Sequence, residues 1–297
     1  MYPQAFEYFS PETLESAIDL LSKYGEDAKV LAGGQSLIPL MKLRLASPKF
    51  LVNLDRIQGL SGIEEQEGAI SFGALTRHAE IEESTLVKSK LPMLHDAVSV
   101  IGDVQIRNLG TIGGSLAHAD PAGDLAPVLL ALGARVNTLS SSGKRTLKLE
   151  ELIVDAYSAD LGSDEVITQV LVPIPQAGSG GAYLKFERRA GDFAVASVGI
   201  QISVKEDGSC GDIAVALGAV GVTAIRAKKA EALLREKRVD DALLKEAAAQ
   251  ASAEADPFSD IRGSVEYKRH LVGVLFRRAF AIASRRAQGE EVNTVHG

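Results

Sequence analysis

Val30-Leu31-Ala32-Gly33-Gly34-Gln35-Ser36-Leu37 and Gly110-Thr111-Ile112-Gly113-Gly114-Ser115 decide how this chain is read. Each stretch sets a glycine pair against apolar residues, with a small hydroxyl residue close by. Two adjacent glycines remove two β-carbons, so consecutive backbone N–H groups turn towards an anion and approach it closely. Neither loop contains a lysine, which leaves backbone N–H groups and the hydroxyls of Ser36, Thr111 and Ser115 as donors. Two such loops in one chain suggest a clamp on a diphosphate, as in a dinucleotide. A Cβ at Gly33 or Gly114 is then expected to fill the space the diphosphate needs, so Gly33→Val or Gly114→Val should release the ligand.

A single Gly-Gly pair is more often only a turn, and the chain has 28 glycines. The known phosphate fingerprints are absent: there is no GxGxxG, and no GxxxxGK followed by Ser or Thr. The first loop runs into Leu37-Ile38-Pro39 and not cleanly into a long helix, which disfavours a nicotinamide-type Rossmann turn. Asp124, ten residues after Gly114, reads as an acceptor for a ribose or ribityl hydroxyl, as the N-cap of the next helix, or as both.

Composition narrows the classes. The 297 residues suit about two domains, and 46% hydrophobic with 24% charged residues is an ordinary globular balance. A net charge of -7, with no basic stripe outside the last helix, disfavours nucleic acid as the main partner. Cys210 is the single cysteine, so no disulfide framework, zinc site or cluster ligand set exists. The five histidines (His78, His95, His118, His270, His296) lack HxxxH spacing, and no metal site is expected. There is no apolar run long enough for a membrane span and no secretory leader in Met1 to Glu7, so a soluble cytoplasmic protein is expected.

The local patterns alternate irregularly. Ser10-Pro11-Glu12 predicts a helix start, Leu14, Ala17, Ile18 and Leu21 continue it, and Gly25 stops it. With strands at 29–32 and 50–54, residues 1 to about 58 form a βαββ lobe. A second lobe, 59–176, holds a strand at 69–73, a helix at 91–100, a helix from Asp124 to Gly133, a hairpin over 135–147 and a strand at 166–172. Gln176-Ala177-Gly178-Ser179-Gly180-Gly181 reads as the linker. Beyond it come strands near 182–188, 196–204 and 213–218, with Asp207-Gly208 as a hairpin signal, then helices over 224–234, 240–254 and 267–286. The pattern is α+β and not the βαβ alternation of a doubly wound sheet.

The Ala-Gly-Gly-Gln-Ser-Leu loop followed by Pro39, the Thr-Ile-Gly-Gly-Ser loop with its Ala119-Asp120-Pro121-Ala122-Gly123-Asp124 sequel, and Arg188-Arg189-Ala190-Gly191-Asp192-Phe193-Ala194 together resemble the FAD-binding medium subunit of molybdenum-containing hydroxylases. This is the family of aerobic carbon monoxide dehydrogenase and xanthine dehydrogenase. The resemblance covers nearly the whole chain. It implies an FAD-binding PCMH/VAO-type domain over 1–176, built of the two α+β lobes, then a C-terminal domain over 178–286 with a small antiparallel sheet and a helical bundle, and a tail at 287–297.

The resemblance also implies roles. Ala32, Gly33, Gly34, Gln35 and Ser36, with Thr111, Gly113, Gly114 and Ser115, would grip the FAD diphosphate, flanked by Leu31 and Leu37. Asp124 matches an FAD-binding aspartate. Ile101 stands where the xanthine enzymes place an aromatic residue, and Ile167 matches a leucine near the flavin. Lys185 falls one residue from a lysine close to the flavin, or is a solvated strand lysine. Phe193 matches an aromatic position near the isoalloxazine, or is an ordinary core aromatic. Arg107 and Asn108 match residues with structural roles. FAD would be this chain's cofactor. The 2Fe–2S clusters and the molybdenum cofactor would sit on a small iron–sulfur subunit and a large molybdopterin subunit, assembled as a dimer of heterotrimers. Electrons would pass from the clusters through this chain to an external acceptor, with no catalytic side chain of its own.

Two rivals stand beside this reading. A stand-alone flavin oxidase or dehydrogenase of the same broad fold needs a proton donor or acceptor beside the flavin, and after residue 178 only Tyr183 and Tyr267 offer a phenol. A non-catalytic nucleotide-binding protein explains the fold but not both loops with Asp124. Lys268, Arg269, Arg277, Arg278, Arg285 and Arg286 in the last helix read first as a solvated basic face, and second as a dock for an acidic partner.

Overall fold

The computed structural model describes residues 2–294; 295–297, at the end of the expected tail, lie outside the described residues. The first lobe contains β1 (Glu7–Phe9), α1 (Leu14–Tyr24), β2 (Ala28–Leu31), α2 (Leu37–Lys42) and β3 (Phe50–Asn53). Its three strands are parallel, in the order β1-β3-β2. Helix α1 buries Ala17, Ile18 and Leu21, as their spacing requires. It starts later than Ser10-Pro11 suggested. Thr13 holds the cap, its Oγ1 accepting from Ser16 N at 3.2 Å. Two hydroxyl residues compete for that job, and the one adjoining the apolar stripe wins.

The second lobe contains β4 (Ile63–Gln66), β5 (Ala69–Gly73), α3 (His78–Glu83), α4 (Thr85–Lys90), α5 (Pro92–Ser99), α6 (Val104–Leu109), α7 (Ile112–His118), α8 (Leu125–Ala131), β6 (Arg135–Ser140), β7 (Gly143–Lys148), α9 (Leu149–Leu152), β8 (Ile153–Asp155), β9 (Ser158–Ala159) and β10 (Val166–Pro173). Its main sheet runs β4-β5-β10-β6-β7, antiparallel throughout. Phe72, Met93, Leu94, Leu129 and Val170 lie in the core beneath it.

The C-terminal domain contains β11 (Ser179–Phe186), β12 (Ala196–Val204), β13 (Cys210–Gly218), β14 (Ile225–Arg226), α10 (Lys228–Leu234), α11 (Asp241–Glu254) and α12 (Val265–Ala287). Its strands form one antiparallel sheet in chain order. Helix α12 covers one face, while α5 and α8 of the second lobe touch β11 to β13. Strand β12 is therefore buried on both faces over Ala196 to Ile200 and reads as a continuous small-and-apolar run. The two domains share core: Tyr183 and Ala216 belong to the second lobe's apolar cluster.

The glycines read as a linker are only partly one. Strand β11 already begins at Ser179. A Cβ on Gly180 would overlap the carbonyl oxygen of Ala283, so this glycine lets the end of α12 lie close on the sheet. Cys210 is buried, and burial pushes its thiol up to about 11, which disfavours the thiolate.

The basic face of α12 is smaller than its sequence suggests. Lys268 is buried and pairs with Asp260 at 2.9 Å. Arg286 is held in a two-pronged pair with Asp96 of α5, at 2.6 and 3.0 Å. Arg285 pairs with Glu290. Arg277 and Arg278 remain exposed. The tail folds back on the same knot: Val292 O accepts from Arg286, and Thr294 Oγ1 donates to Asp96 at 3.0 Å.

Candidate cofactor site

The two glycine loops meet. A Cβ on Gly33 would overlap the carbonyl oxygen of Leu109 and stand 2.8 Å from Gly110 Cα. A Cβ on Gly114 would lie 3.7 Å from the methyl of Ala32. The first loop leaves β2 at Leu31 and enters the short helix α2 at Leu37. Gly34 takes φ +69°, the left-handed region that glycine occupies at little cost. Among the described residues, the N–H groups of Gly33, Gly34, Gln35 and Ser36 donate to no protein acceptor. Four consecutive free donors around a left-handed residue are what an anion-binding concavity requires. Gln35 stiffens it, its side-chain amide donating to Gly33 O at 3.1 Å.

The second loop contributes differently from its sequence reading. Thr111 caps α7, its Oγ1 accepting from Gly114 N at 3.2 Å. Ile112 N donates to Thr76 O and Gly113 N to Ala74 O. The first N–H groups of α7 are thus spent on the protein. What faces outward is Gly114, with no side chain, and the half-buried Ser115 beside it. The free backbone donors belong to the first loop; the second brings Gly114 close to Ala32. The valine test therefore has a different physical cause at Gly33, where the added atoms meet the other lobe before they meet any ligand.

Asp124 does not cap its helix: no backbone N–H is bound by its side chain. Its carboxylate is buried and faces the C-terminal domain instead. Oδ1 accepts from the Tyr183 hydroxyl at 2.7 Å, and Oδ2 lies 3.2 Å from Lys185 Nζ. Burial pushes this carboxyl up to about 6, against the pull of the Lys185 ammonium and the Tyr183 hydroxyl. Burial likewise raises the Tyr183 phenol well above its usual 10, with the Asp124 charge adding to it.

Lys185 is not solvated; its side chain is 3% exposed. Phe193 is not a core residue; it is half exposed, with the Arg262 guanidinium 5.8 Å from its ring centre. Ile101 is half-buried in the turn between α5 and α6, and Ile167 is buried in β10 next to a bulge. Arg107 donates to the carbonyls of Ile101 and Gly102 and pairs with Glu82. Asn108 bonds back to Val104 O. The sequence did not mark Tyr183 and Glu187 as members of this group, although Tyr183 and Lys185 alternate along β11 and Glu187 follows directly on its end.

His78 also escaped the sequence. It sits under the second loop, its N–H donating to Gly110 O at 3.0 Å, and a Cβ on Gly110 would lie 2.8 Å from its ring. Among the described residues, its Nδ1 is buried with no hydrogen-bond partner. Burial, then the Arg107 charge, lower its pKa from 6.5 to about 4. Between those values the unfolded chain takes up the proton and the folded chain does not. Stability is therefore expected to fall as pH drops from 6.5 towards 4, by about 3 kcal/mol, and to be fully present above 6.5. Urea unfolding across that window should show a steeper pH slope for the native chain than for His78→Leu; equal slopes would refute it.

Among the described residues no cluster of His, Cys, Asp or Glu could hold a metal ion, and no helix is long and apolar enough to cross a membrane. The free N–H row, the hydroxyls and the absence of a lysine fit a diphosphate flanked by apolar walls.

Comparison with known proteins agrees. Residues 4–175 match the FAD binding domain in molybdopterin dehydrogenase, and residues 181–283 the CO dehydrogenase flavoprotein C-terminal domain. The chain is 38% identical to 6-hydroxypseudooxynicotine dehydrogenase complex subunit alpha of Paenarthrobacter nicotinovorans, covering 100% of both chains. It is 40% identical to the glyceraldehyde dehydrogenase medium chain of Sulfolobus acidocaldarius, covering 94% of this chain and 99% of that one. Its fold superimposes with a TM-score of 0.94 on a chain of carbon monoxide dehydrogenase from Hydrogenophaga pseudoflava, at 38% identity over 96% of this chain and 99% of that one. With its two glycine loops joined at one place and both domain matches in order, the chain belongs to the FAD-binding medium subunits of the molybdenum hydroxylase family.

Proposed function

We propose that this chain is the flavin relay of a three-part oxidoreductase, taking electrons from 2Fe–2S clusters on a small partner subunit and passing them to an external acceptor. The observation that carries the reading is the meeting of the two loops, with four free N–H donors on one side and Gly114 and Ser115 on the other. The first loop and Ser36 would hold the diphosphate, and Ile101, Ile167 and Phe193 would flank the isoalloxazine. Bound FAD supplies the redox chemistry, accepting electrons singly and releasing them singly or as a pair. The protein's part is binding, orientation and electrostatics.

The full-length match to chains named as subunits of dehydrogenase complexes supports partners and disfavours a stand-alone oxidase. We assign the substrate's chemistry to a large molybdenum subunit and the assembly to a dimer of heterotrimers. Those relatives act on a nicotine derivative and on glyceraldehyde, by their names, so one medium-subunit fold serves different substrates. The test is co-purification with the neighbouring subunits. One FAD per copy of this chain, iron and molybdenum on the others, and bleaching of the flavin band by substrate are expected. A chain that takes up no FAD at saturating concentration refutes the cofactor site; a flavin that substrate leaves oxidised refutes the relay.

Arg277 and Arg278 provide a narrower test. Reversing both to Glu is expected to leave FAD content unchanged and unfolding free energy within about 0.5 kcal/mol, since both side chains are exposed. Loss of co-purifying subunits at unchanged FAD content would assign this face to docking, and retained assembly would leave it a solvated surface.

A further inference from the structure

The turn between α5 and α6 offers three successive carbonyls, of Val100, Ile101 and Gly102, and each is held by a cation. Arg107 Nη1 reaches Ile101 O at 3.2 Å and Gly102 O at 3.4 Å. Lys185 Nζ, from the other domain, donates to Val100 O at 2.9 Å. The same ammonium lies 3.2 Å from Asp124 Oδ2 and 3.1 Å from Glu187 Oε2. Glu187 carries the connection further, its Oε1 accepting from Gly191 N at 3.3 Å. Gly191 in turn sits against the turn itself: a Cβ there would stand 3.0 Å from Gly102 O. The C-terminal domain therefore meets this turn twice, by a hydrogen bond from Lys185 and by close packing of the Gly191 loop that leads to Phe193, with Glu187 paired with the first and accepting from the second.

A buried lysine between two carboxylates is an expensive way to hold two domains together. Apolar packing between the domains already does that. What the lysine adds is direction: one N–H fixed on one carbonyl, at the residue before Ile101.

We propose that Lys185 is a positioning residue for the flavin site, acting through Val100 O on the Val100–Gly102 turn, which carries Ile101 and leads into α6, whose Leu109 O lies against Gly33 of the first loop. The proposal rests on the FAD reading above and adds that Lys185 works through the turn, with Asp124 and Glu187 as its counter-charges. Its prediction concerns the geometry of the site as well as its strength.

The test uses the full chain with FAD. Lys185→Met keeps the length and removes the charge. It is expected to weaken FAD binding at least tenfold and to change the visible circular dichroism of bound flavin. It also leaves the buried Asp124 carboxylate and the half-buried Glu187 carboxylate without a counter-charge, so its melting temperature should fall. The double variant Lys185→Met with Glu187→Gln restores the native net charge of the cluster without restoring the hydrogen bond to Val100 O. Its melting temperature should recover in part, while weak binding and the altered dichroism persist. Recovery of FAD affinity and spectrum along with stability would overturn the proposal, as would a single variant with native affinity and spectrum. If the single variant does not fold, the double variant carries the same comparison. A native chain that binds no FAD would instead sink the cofactor reading itself, which keeps the two failures apart.

Discussion

Gly33→Val is expected to yield a chain that purifies without flavin and binds added FAD at least 100-fold more weakly than the native protein. The cause is the packing of one loop on the other. A Cβ at Gly33 would already overlap Leu109 O and crowd Gly110 Cα, both of them backbone. Backbone does not swing aside as a side chain does, so the two further methyls of valine force the lobes apart. The free N–H groups of Gly33 to Ser36 then no longer face Gly114 and Ser115. Losing two charge-assisted hydrogen bonds at roughly 1.5–3 kcal/mol each amounts to about two decades or more of affinity. The same wedge should destabilise the flavin-free protein by roughly 1–3 kcal/mol, as overpacking does. That second effect distinguishes the cause. If valine merely filled the diphosphate's space, the flavin-free variant would melt with the native chain. Stoichiometric FAD in a folded variant would contradict both accounts.

How much of this was legible in the chain depends on whether the cause was local. Gly25, Gly133 and the hairpin read over 135–147 follow from turn chemistry and periodicity, and the structure places them within a residue of that reading. The two glycine loops were legible because close backbone approach requires a residue type that sequence displays. Their division of labour was not. Whether an N–H in the second loop is free depends on Thr76 O and Ala74 O, more than thirty residues upstream. Gly180 looked like a linker because sequence cannot tell a glycine that gives freedom from one that admits a helix.

The polar residues show the same limit. Asp124 stands where a helix cap belongs, and by position alone the cap is the natural reading. The competing partners, Tyr183 and Lys185, arrive from another domain about sixty positions later and take the carboxylate away from the backbone. Lys185 and Lys268 look solvated in sequence, as most lysines are. Each is buried because a carboxylate and a carbonyl wait for it. Burial of charge is decided by pairings across the fold.

The Asp96–Arg286 pair is expected to carry a large stability effect. Asp96 lies on α5 with a side chain 4% exposed; Arg286 lies on the last turn of α12 and is 11% exposed. Four groups converge on that one carboxylate: both terminal nitrogens of Arg286, the N–H of Tyr183 at 3.2 Å, and the hydroxyl of Thr294. Three parts of the fold (the second lobe, the C-terminal sheet and the tail) therefore meet at a single residue. Asp96→Ala is expected to cost about 3–5 kcal/mol, because it leaves a buried guanidinium whose remaining acceptors, Gly181 O and Val292 O, carry no full charge. Arg286→Met should also destabilise, but less, since Tyr183 N and Thr294 still bond to Asp96. Combining Asp96→Ala with Arg286→Met removes both charges from the interior, and its cost should be well below the sum of the two single changes. Urea unfolding of the flavin-free chains measures all three. A loss below 1 kcal/mol for Asp96→Ala, or strict additivity in the double variant, would mean that this ion pair contributes little to holding the two domains together.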